Sequence, residues 1–352
     1  MKILQVMAGG QHGGAEMAFI DMCVAMKEKG LDIEVVTRKN KVRDRLLDEA
    51  KIKTHHCRFG GIADFITSQK IKKIIQSYEP DIVQSWMSRA SVKTPSWNKT
   101  QTKKKYYTIA RLGGYYSYKY FKHIDYFAAI TPDLKKHIES WGINPEHVRQ
   151  LNNFAETEQD IIPIDREELD TPKDATVIVS LARYHENKAL DILIRSLPDL
   201  PNCYLWLAGD GPLKDTLHDL AKSLHVESRV RFLGWRTDRA ALLQAADICA
   251  FVSRHEPFGS VFIQAWANKI PLIVSDAQGP VQFCKHEKDS LVIPKNNEAA
   301  FVRAVHKLEA DPVFSIKLVN NGYQKYLDGF TKEKSVEAYL DFYRDILKTR
   351  ST

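Results

Sequence analysis

Residues 248–275 read ICAFVSRHEPFGSVFIQAWANKIPLIVS. Ile248–Val252 has the length and apolar character of a buried strand, and Leu272–Ser275 is a second such run. Between them Gly259 and Ser260 open a helical stretch. Strand, loop, helix and strand in so short a span make a βαβ unit, which commits both strands to a parallel sheet. Ligands of such sheets sit beyond the carboxyl ends of the strands, so the loop His255–Ser260 is where chemistry is expected.

The same alternation extends in both directions. Towards the amino terminus, strands are expected at Thr176–Leu181, Tyr204–Ala208 and Val230–Phe232, and towards the carboxyl terminus at Ser290–Ile293, with helical patterns between them. A first series opens the chain. The apolar run 2–8 ends in Gly9 and Gly10, a helix is expected over Ala15–Lys29, Gly30 stops it, and Ile33–Thr37 follows as a strand. Further strands are expected at Lys53–Cys57, Ile82–Gln84, Tyr106–Ala110 and Tyr126–Ile130. The stretch EQDIIPIDREELDTPKD after Asn153 is acidic, holds two prolines and has no sustained period. The expected organisation is therefore a Rossmann-like domain over 1–155, a linker over 156–175 and a second Rossmann-like domain over 176–331. A helix within 332–352, with Val336, Tyr339, Leu340, Tyr343, Ile346 and Leu347 as its apolar stripe, is expected to pack back on domain one. The fold class is α/β, with two doubly wound parallel sheets expected to face a cleft.

Length and charge narrow the function. The chain has 352 residues, about right for two ordinary domains. No apolar run approaches the ~20 residues that span a bilayer, and the opening apolar run reads as a strand, not a signal peptide. The five cysteines are scattered singly, without the paired spacing of a zinc site or a disulfide framework, which fits a reducing cytoplasmic setting. Residues 1–150 carry 26 Lys and Arg against 15 Asp and Glu, whereas the remainder carries 25 against 29. The first half is expected to meet something anionic.

Several loops carry chemistry. Arg183 and Lys188 lie five residues apart after the strand Thr176–Leu181, where two cations can clamp a diphosphate and neutralise its charge as it departs. Glu256 lies on the loop after Ile248–Val252. The amides of Gly259, Ser260 and Val261 at the start of the next helix are placed to receive phosphate, and Gln264 lies about one turn into it. Gly209-Asp210-Gly211-Pro212 either only turns the chain or contacts a ligand. In domain one, Gly13 and Gly14 open the first helix and let backbone approach an anion. That loop admits a rival reading, since Ala8-Gly9-Gly10-Gln11-His12-Gly13 loosely matches a dinucleotide fingerprint and Arg38 is available for the 2′-phosphate of NADP. The chain contains no Asp-X-Asp, so neither a metal nor any other cofactor is expected. Lys103, Lys104 and Lys105, followed by Tyr115 and Tyr116 in a run of alternating cations and aromatics, suggest a patch for an anionic membrane surface. No RNA-binding signature accompanies them. Trp86, Arg89 and Arg111 are candidates for acceptor contacts.

Taken together, HEPFGSVFIQAWANKIPLIVS, Gly13–Glu16 (GGAE), the Arg183/Lys188 pair, Gly209–Pro212 (GDGP), Phe232–Trp235 (FLGW) and Asn153 resemble, in order, the motifs of glycosyltransferase family 4. The resemblance covers nearly the whole chain. It implies the GT-B fold and transfer of a sugar from a nucleotide-sugar to a glycan or glycolipid, such as lipopolysaccharide or another surface glycan, with retention of configuration and without metal. It places Glu256 against the donor sugar and leaving phosphate, and position 264 against a nucleotide ribose. The family carries an acid where this chain has Gln264, although an amide both donates and accepts hydrogen bonds. Peripheral attachment to the cytoplasmic face of the membrane follows as an expectation. The alternatives are an NADP-dependent oxidoreductase and a catalytically idle scaffold that only binds glycan or membrane.

Overall fold

The computed structural model describes residues 1–10, 13–61, 64–100, 102–155 and 161–349. It divides into two compact units, Met1–Phe154 with Lys332–Thr352, and Ala155–Thr331. The first unit contains β1 (Lys2–Met7), α1 (Gly14–Glu28), β2 (Asp32–Thr37), α2 (Lys41–Glu49), β3 (Lys53–His56), α3 (Phe65–Tyr78), β4 (Ile82–Trp86), α4 (Met87–Lys93), β5 (Tyr107–Leu112), β6 (Tyr126–Ala129), α5 (Pro132–Glu139) and β7 (Val148–Gln150). Its strands form one parallel sheet in the order β3-β2-β1-β4-β5-β6-β7.

Helices cover both faces of this sheet, which is why β1, β4 and β5 are buried along almost their whole length with no alternation of buried and exposed residues. All five residues of β4 and all six of β5 are buried. The helix Lys332–Lys348 belongs to this unit. Its stripe Val336, Tyr339, Leu340, Tyr343 and Ile346 packs with Phe19, Met22, Trp86 and Tyr126 in one core. A buried polar ladder runs through that core: Trp86 Nε1 donates to Gln5 Oε1 at 2.8 Å, and the Tyr343 hydroxyl donates to Gln84 Oε1 at 2.8 Å. Such buried polar groups are tolerable because they find partners.

The second unit contains β8 (Thr176–Leu181), α6 (Leu190–Ser196), β9 (Cys203–Ala208), α7 (Lys214–Ser223), β10 (Val230–Gly234), α8 (Arg239–Ala245), β11 (Ile248–Phe251), α9 (Val261–Ala267), β12 (Leu272–Ser275), β13 (Leu291–Ile293), α10 (Glu298–Ala310) and α11 (Pro312–Gly329), after which Lys332–Lys348 follows as α12. Its six parallel strands run β10-β9-β8-β11-β12-β13. The stretch read as a linker is docked on this unit from residue 161 onward, residues 156–160 lying outside the described ones. Arg166 donates to the carbonyls of Ala245 (2.8 Å) and Ala175 (2.9 Å) and pairs with Asp247, while Trp206 Nε1 donates to Thr171 Oγ1.

Candidate active site

In the second unit the strand order reverses between β8 and β11, the kind of switch point at which parallel sheets open a crevice for ligands. Two candidate side chains meet there. Lys188 ends the short turn Glu186–Lys188 after β8, and its Nζ is ion-paired with Oε2 of Glu256 on the loop after β11. The Lys188 ammonium also lies 5.9 Å from the centre of the Phe251 ring. Glu256 is only 8% exposed, and a carboxylate so placed needs such a partner. Arg183 lies on the Lys188 loop with its side chain exposed.

Close packing shapes both loops. A Cβ on Gly209 would lie 1.9 Å from the carbonyl oxygen of Ala182, and Tyr184 N donates to Asp210 O at 3.0 Å, so the Gly209–Pro212 turn braces the loop that carries Arg183. Gly259 has φ +76°, and a Cβ there would meet Phe251 Cζ at 2.2 Å and Glu256 Cγ at 2.8 Å. Only glycine satisfies both the backbone and the space. Ser260 and Val261 then start α9 without a side-chain cap. Gln264 is half-buried in α9, and its Oε1 is a buried acceptor with no hydrogen-bond partner. An orphaned buried acceptor is costly, so this atom is poised for a hydroxyl donor.

One feature of the site escaped the sequence reading. Arg254, two residues before Glu256, grips Asp191 of α6 through Nη1 at 2.8 Å and Nη2 at 2.6 Å. It also donates to Glu186 O at 2.9 Å and to Asn296 Oδ1 at 2.6 Å. Its backbone N–H donates to Asn187 O at 2.8 Å. Arg254 thus ties the loop of Glu256 to the loop of Lys188.

In the first unit, Gly13 is extended and precedes α1, where a Cβ would lie 2.4 Å from Glu16 Oε2. A Cβ on Gly14 would meet nothing within 4 Å, so that position is open. Glu16 Oε1 accepts from Gly10 N at 2.6 Å and holds the turn closed. Gln11 and His12 lie outside the described residues.

Two expectations for this unit need correction. Trp86 and Arg111 are each 1% exposed, paired in register on β4 and β5, with the guanidinium carbon 4.4 Å from the Trp86 ring centre. Arg111 Nη2 donates to Asn153 Oδ1. Both side chains are core, because strand ends in a covered parallel sheet remain buried, and neither is available to an acceptor. Arg89 alone of the three is exposed, on α4. Nor do the lysines and tyrosines form one patch. Lys103, Lys104 and Lys105 precede β5, whereas Tyr115 and Tyr116 follow it, at opposite ends of a six-residue strand, ~20 Å apart by strand rise. Lys104 is paired with Asp81 at 2.7 Å and Lys105 lies over the Tyr107 ring at 4.9 Å, so part of the lysine run is engaged by its own unit.

Comparison with known proteins assigns the chain. Residues 161–325 match the family model described as glycosyl transferases group 1. Two proteins of Rhizobium meliloti are similar over almost their whole length. The lipopolysaccharide core biosynthesis glycosyltransferase LpsE is 32% identical over 94% of this chain and 96% of its own. The related LpsD is 30% identical over 97% and 98%. The chain belongs to the group 1 glycosyltransferases. Among solved structures, Anabaena HepE in complex with UDP superposes with a TM-score of 0.81 at 20% identity, covering all of both chains. A Rickettsia africae glycosyltransferase gives 0.84 at 18% identity over 99% and 98%. Both carry the two-domain GT-B fold expected for this glycosyltransferase. Family membership also sets aside the oxidoreductase reading, and in the structure Arg38 is engaged by the carbonyls of Arg58 and Phe59.

Proposed function

We propose that this glycosyltransferase takes a nucleoside-diphosphate sugar on its second unit and transfers the sugar, with retention, to a glycan or glycolipid bound by its first unit. The observation that carries the reading is the Lys188–Glu256 pair at the β8/β11 switch point. There a cation is held ready for a diphosphate and a carboxylate for sugar hydroxyls. Gln264 Oε1, buried and unpartnered, supplies an acceptor for a ribose hydroxyl. In the reaction the acceptor oxygen bonds to the anomeric carbon as the bond from that carbon to the β-phosphate oxygen breaks, and the acceptor proton passes to the departing phosphate. No protein nucleophile is needed. Arg183 and Lys188 offset the charge on the leaving group, so metal is not required. Among the described residues no group of three or more His, Cys, Asp or Glu is placed to hold a metal ion.

The relatives suggest the substrates. HepE was crystallised with UDP and with UDP-glucose, which makes a UDP-sugar the first donor to test. The two Rhizobium relatives make a lipopolysaccharide core intermediate the first acceptor. No helix among the described residues is long and apolar enough to cross a membrane. Peripheral attachment at the cytoplasmic face then rests on basic side chains of the first unit, with the lysine run and the tyrosine pair as separate contacts. The test is a thermal-shift panel of UDP-, GDP-, CMP- and ADP-sugars beside NADP, followed by release of nucleotide with and without EDTA. A ligand at a hundred times its Kd adds ~2.7 kcal/mol to stability. One nucleotide series should stabilise the protein, and its sugar should be released or transferred with EDTA present. Loss of turnover on chelation, rescued by magnesium, would overturn the metal-free mechanism. Binding without any turnover would leave an idle scaffold, the reading that Gln264 invites.

A further inference from the structure

In the first unit α3 begins with two large apolar side chains turned to solvent. Phe65 and Ile66, its first two residues, are each 75% exposed. The core does not use them, since α3 buries Thr67, Ile71, Ile74, Ile75 and Tyr78 at the spacing of one helical face. At about 100° per residue, Phe65 and Ile66 fall on the opposite face with Gln69, Lys70 and Lys73, all of them exposed. Lys70 and Lys73 stand one and two turns behind Ile66.

The pair is presented on well-bonded backbone. Asp64 caps the helix, its Oδ1 accepting from Thr67 N at 3.0 Å and its Oδ2 from Gly60 N at 2.7 Å. Lys93, 7% exposed, reaches from α4 to donate to Asp64 O at 2.8 Å and Gly61 O at 3.1 Å. Turning Phe65 and Ile66 inward would break these bonds. Exposed apolar residues scattered singly are ordinary, but an adjacent pair calls for something to cover it. Charge decides what does. α3 holds Lys70, Lys72 and Lys73 and no acid in its fourteen residues. From Met87 to Lys105, through α4 and the stretch after it, there are six Lys and Arg and no acid. Val313 and Ile316 of α11 are comparably exposed, but they follow closely on Glu309 and Asp311. An apolar tip backed by cations of its own helix matches an anionic lipid surface, where apolar side chains enter the boundary and ammonium groups meet the headgroups.

We propose that Phe65 and Ile66 are the wedge by which the first unit enters an anionic membrane surface, with Lys70 and Lys73 meeting the headgroups behind them. The inference rests on the proposed peripheral attachment and names the surface that inserts. It gives part of the positive charge concentrated in residues 1–150 a partner.

The test is co-sedimentation of the full chain with vesicles of equal parts phosphatidylglycerol and phosphatidylcholine, and with vesicles of phosphatidylcholine alone. Wild type, Phe65→Ser/Ile66→Ser and Lys70→Gln/Lys73→Gln are compared, and the thermal midpoint checks that each is folded; all four side chains are exposed, so neither change opens the core. Wild type should bind the mixed vesicles only. The serine variant should lose at least about tenfold in partition, because two apolar side chains no longer leave water. The glutamine variant should lose about fivefold for each lysine. Added salt should shrink the lysine effect and leave the serine effect, since screening acts on charge. A polarity-sensitive dye on the thiol introduced by Phe65→Cys, the five native thiols being buried, should brighten on the mixed vesicles. Equal binding of wild type and the serine variant, or an unchanged dye signal, overturns the wedge while the attachment itself stands and passes to other basic side chains. Failure of wild type to bind either vesicle strikes the attachment and the wedge together. If the serine change instead abolishes a wild-type dimer in sedimentation velocity and leaves vesicle binding intact, the pair is an interface between copies and the proposal is overturned.

Discussion

Removing the Arg254–Asp191 clamp should slow turnover more than it weakens the fold. Both side chains are 32% exposed. Exposed ion pairs contribute ~0.2–1 kcal/mol and hydrogen bonds to charged groups ~1.5–3 kcal/mol, so a half-exposed bidentate pair should contribute about 1–2 kcal/mol. Bonding to Asp191 raises the Arg254 pKa further, so the guanidinium stays charged through any working pH. Catalysis is more sensitive than stability, because Arg254 fixes the backbone two residues before Glu256 against the loop that ends in Lys188, and an error of ~1 Å in placing a reacting group can cost ~100-fold. Arg254→Ala and Asp191→Ala should each lower kcat by about 10- to 100-fold and lower unfolding free energy by about 1–2 kcal/mol. The double variant should resemble Arg254→Ala, which already removes this contact along with the bonds to Glu186 O and Asn296. Urea denaturation and initial rates of nucleotide release on the four proteins of this cycle decide the matter. Fully additive losses, or wild-type kcat in a variant that has lost the stability increment, would show that the clamp only packs the loop.

Trp86→Ala should cost ~3–5 kcal/mol of stability, since it empties a core position and strips Gln5 Oε1 of its donor; urea titration with donor affinity measured on the folded fraction separates this from a role in binding. Gln264→Glu should keep turnover and tighten nucleotide binding several-fold, because a carboxylate accepts ribose hydroxyls more strongly than an amide; isothermal titration with UDP reads this, and loss of turnover would place position 264 at the reacting sugar. The five thiols should resist alkylation in the native state and react fully in denaturant. All are buried, burial raises the pKa of each thiol, and those of Cys203 and Cys249 are pushed up to about 12, so the nucleophilic thiolate is scarce near pH 8. Fast modification of the native protein by a thiol reagent would contradict this.

What was legible in the sequence was what a single loop or a single period could carry. Apolar runs of strand length gave twelve of the thirteen strands; β7 escaped because Val148–Gln150 is three residues long and only Val148 is fully buried. The stripe of α12 announced itself through spacing of three and four residues. Glu256 and Lys188 stood out because each follows a strand, although nothing local told that they pair. Long-range partners were hidden. Arg166 is anchored by groups around residue 245, so its segment, acidic and proline-bearing, passed for a linker. Asp191 is an ordinary first-turn acid until the fold brings Arg254 to it from 63 residues away. Trp86 and Arg111 passed for surface groups because a sequence does not show which strand ends a parallel sheet keeps covered.

The ion pair at the second unit's switch point bears on how the proposed donor is taken in. At the β8/β11 switch point two of the three cations named above come with acids: Lys188 has Glu256 and Arg254 has Asp191, while Arg183 is exposed on its loop. On the proposed function, an incoming diphosphate competes with Glu256 for Lys188, and as the ammonium turns to phosphate the carboxylate is freed for the sugar hydroxyls. Salt should weaken attachment through exposed basic side chains of the first unit, such as Lys103, more than nucleotide binding at the Lys188–Glu256 pair, since exposed charge is screened within ~8 Å at physiological ionic strength and a half-buried pair much less.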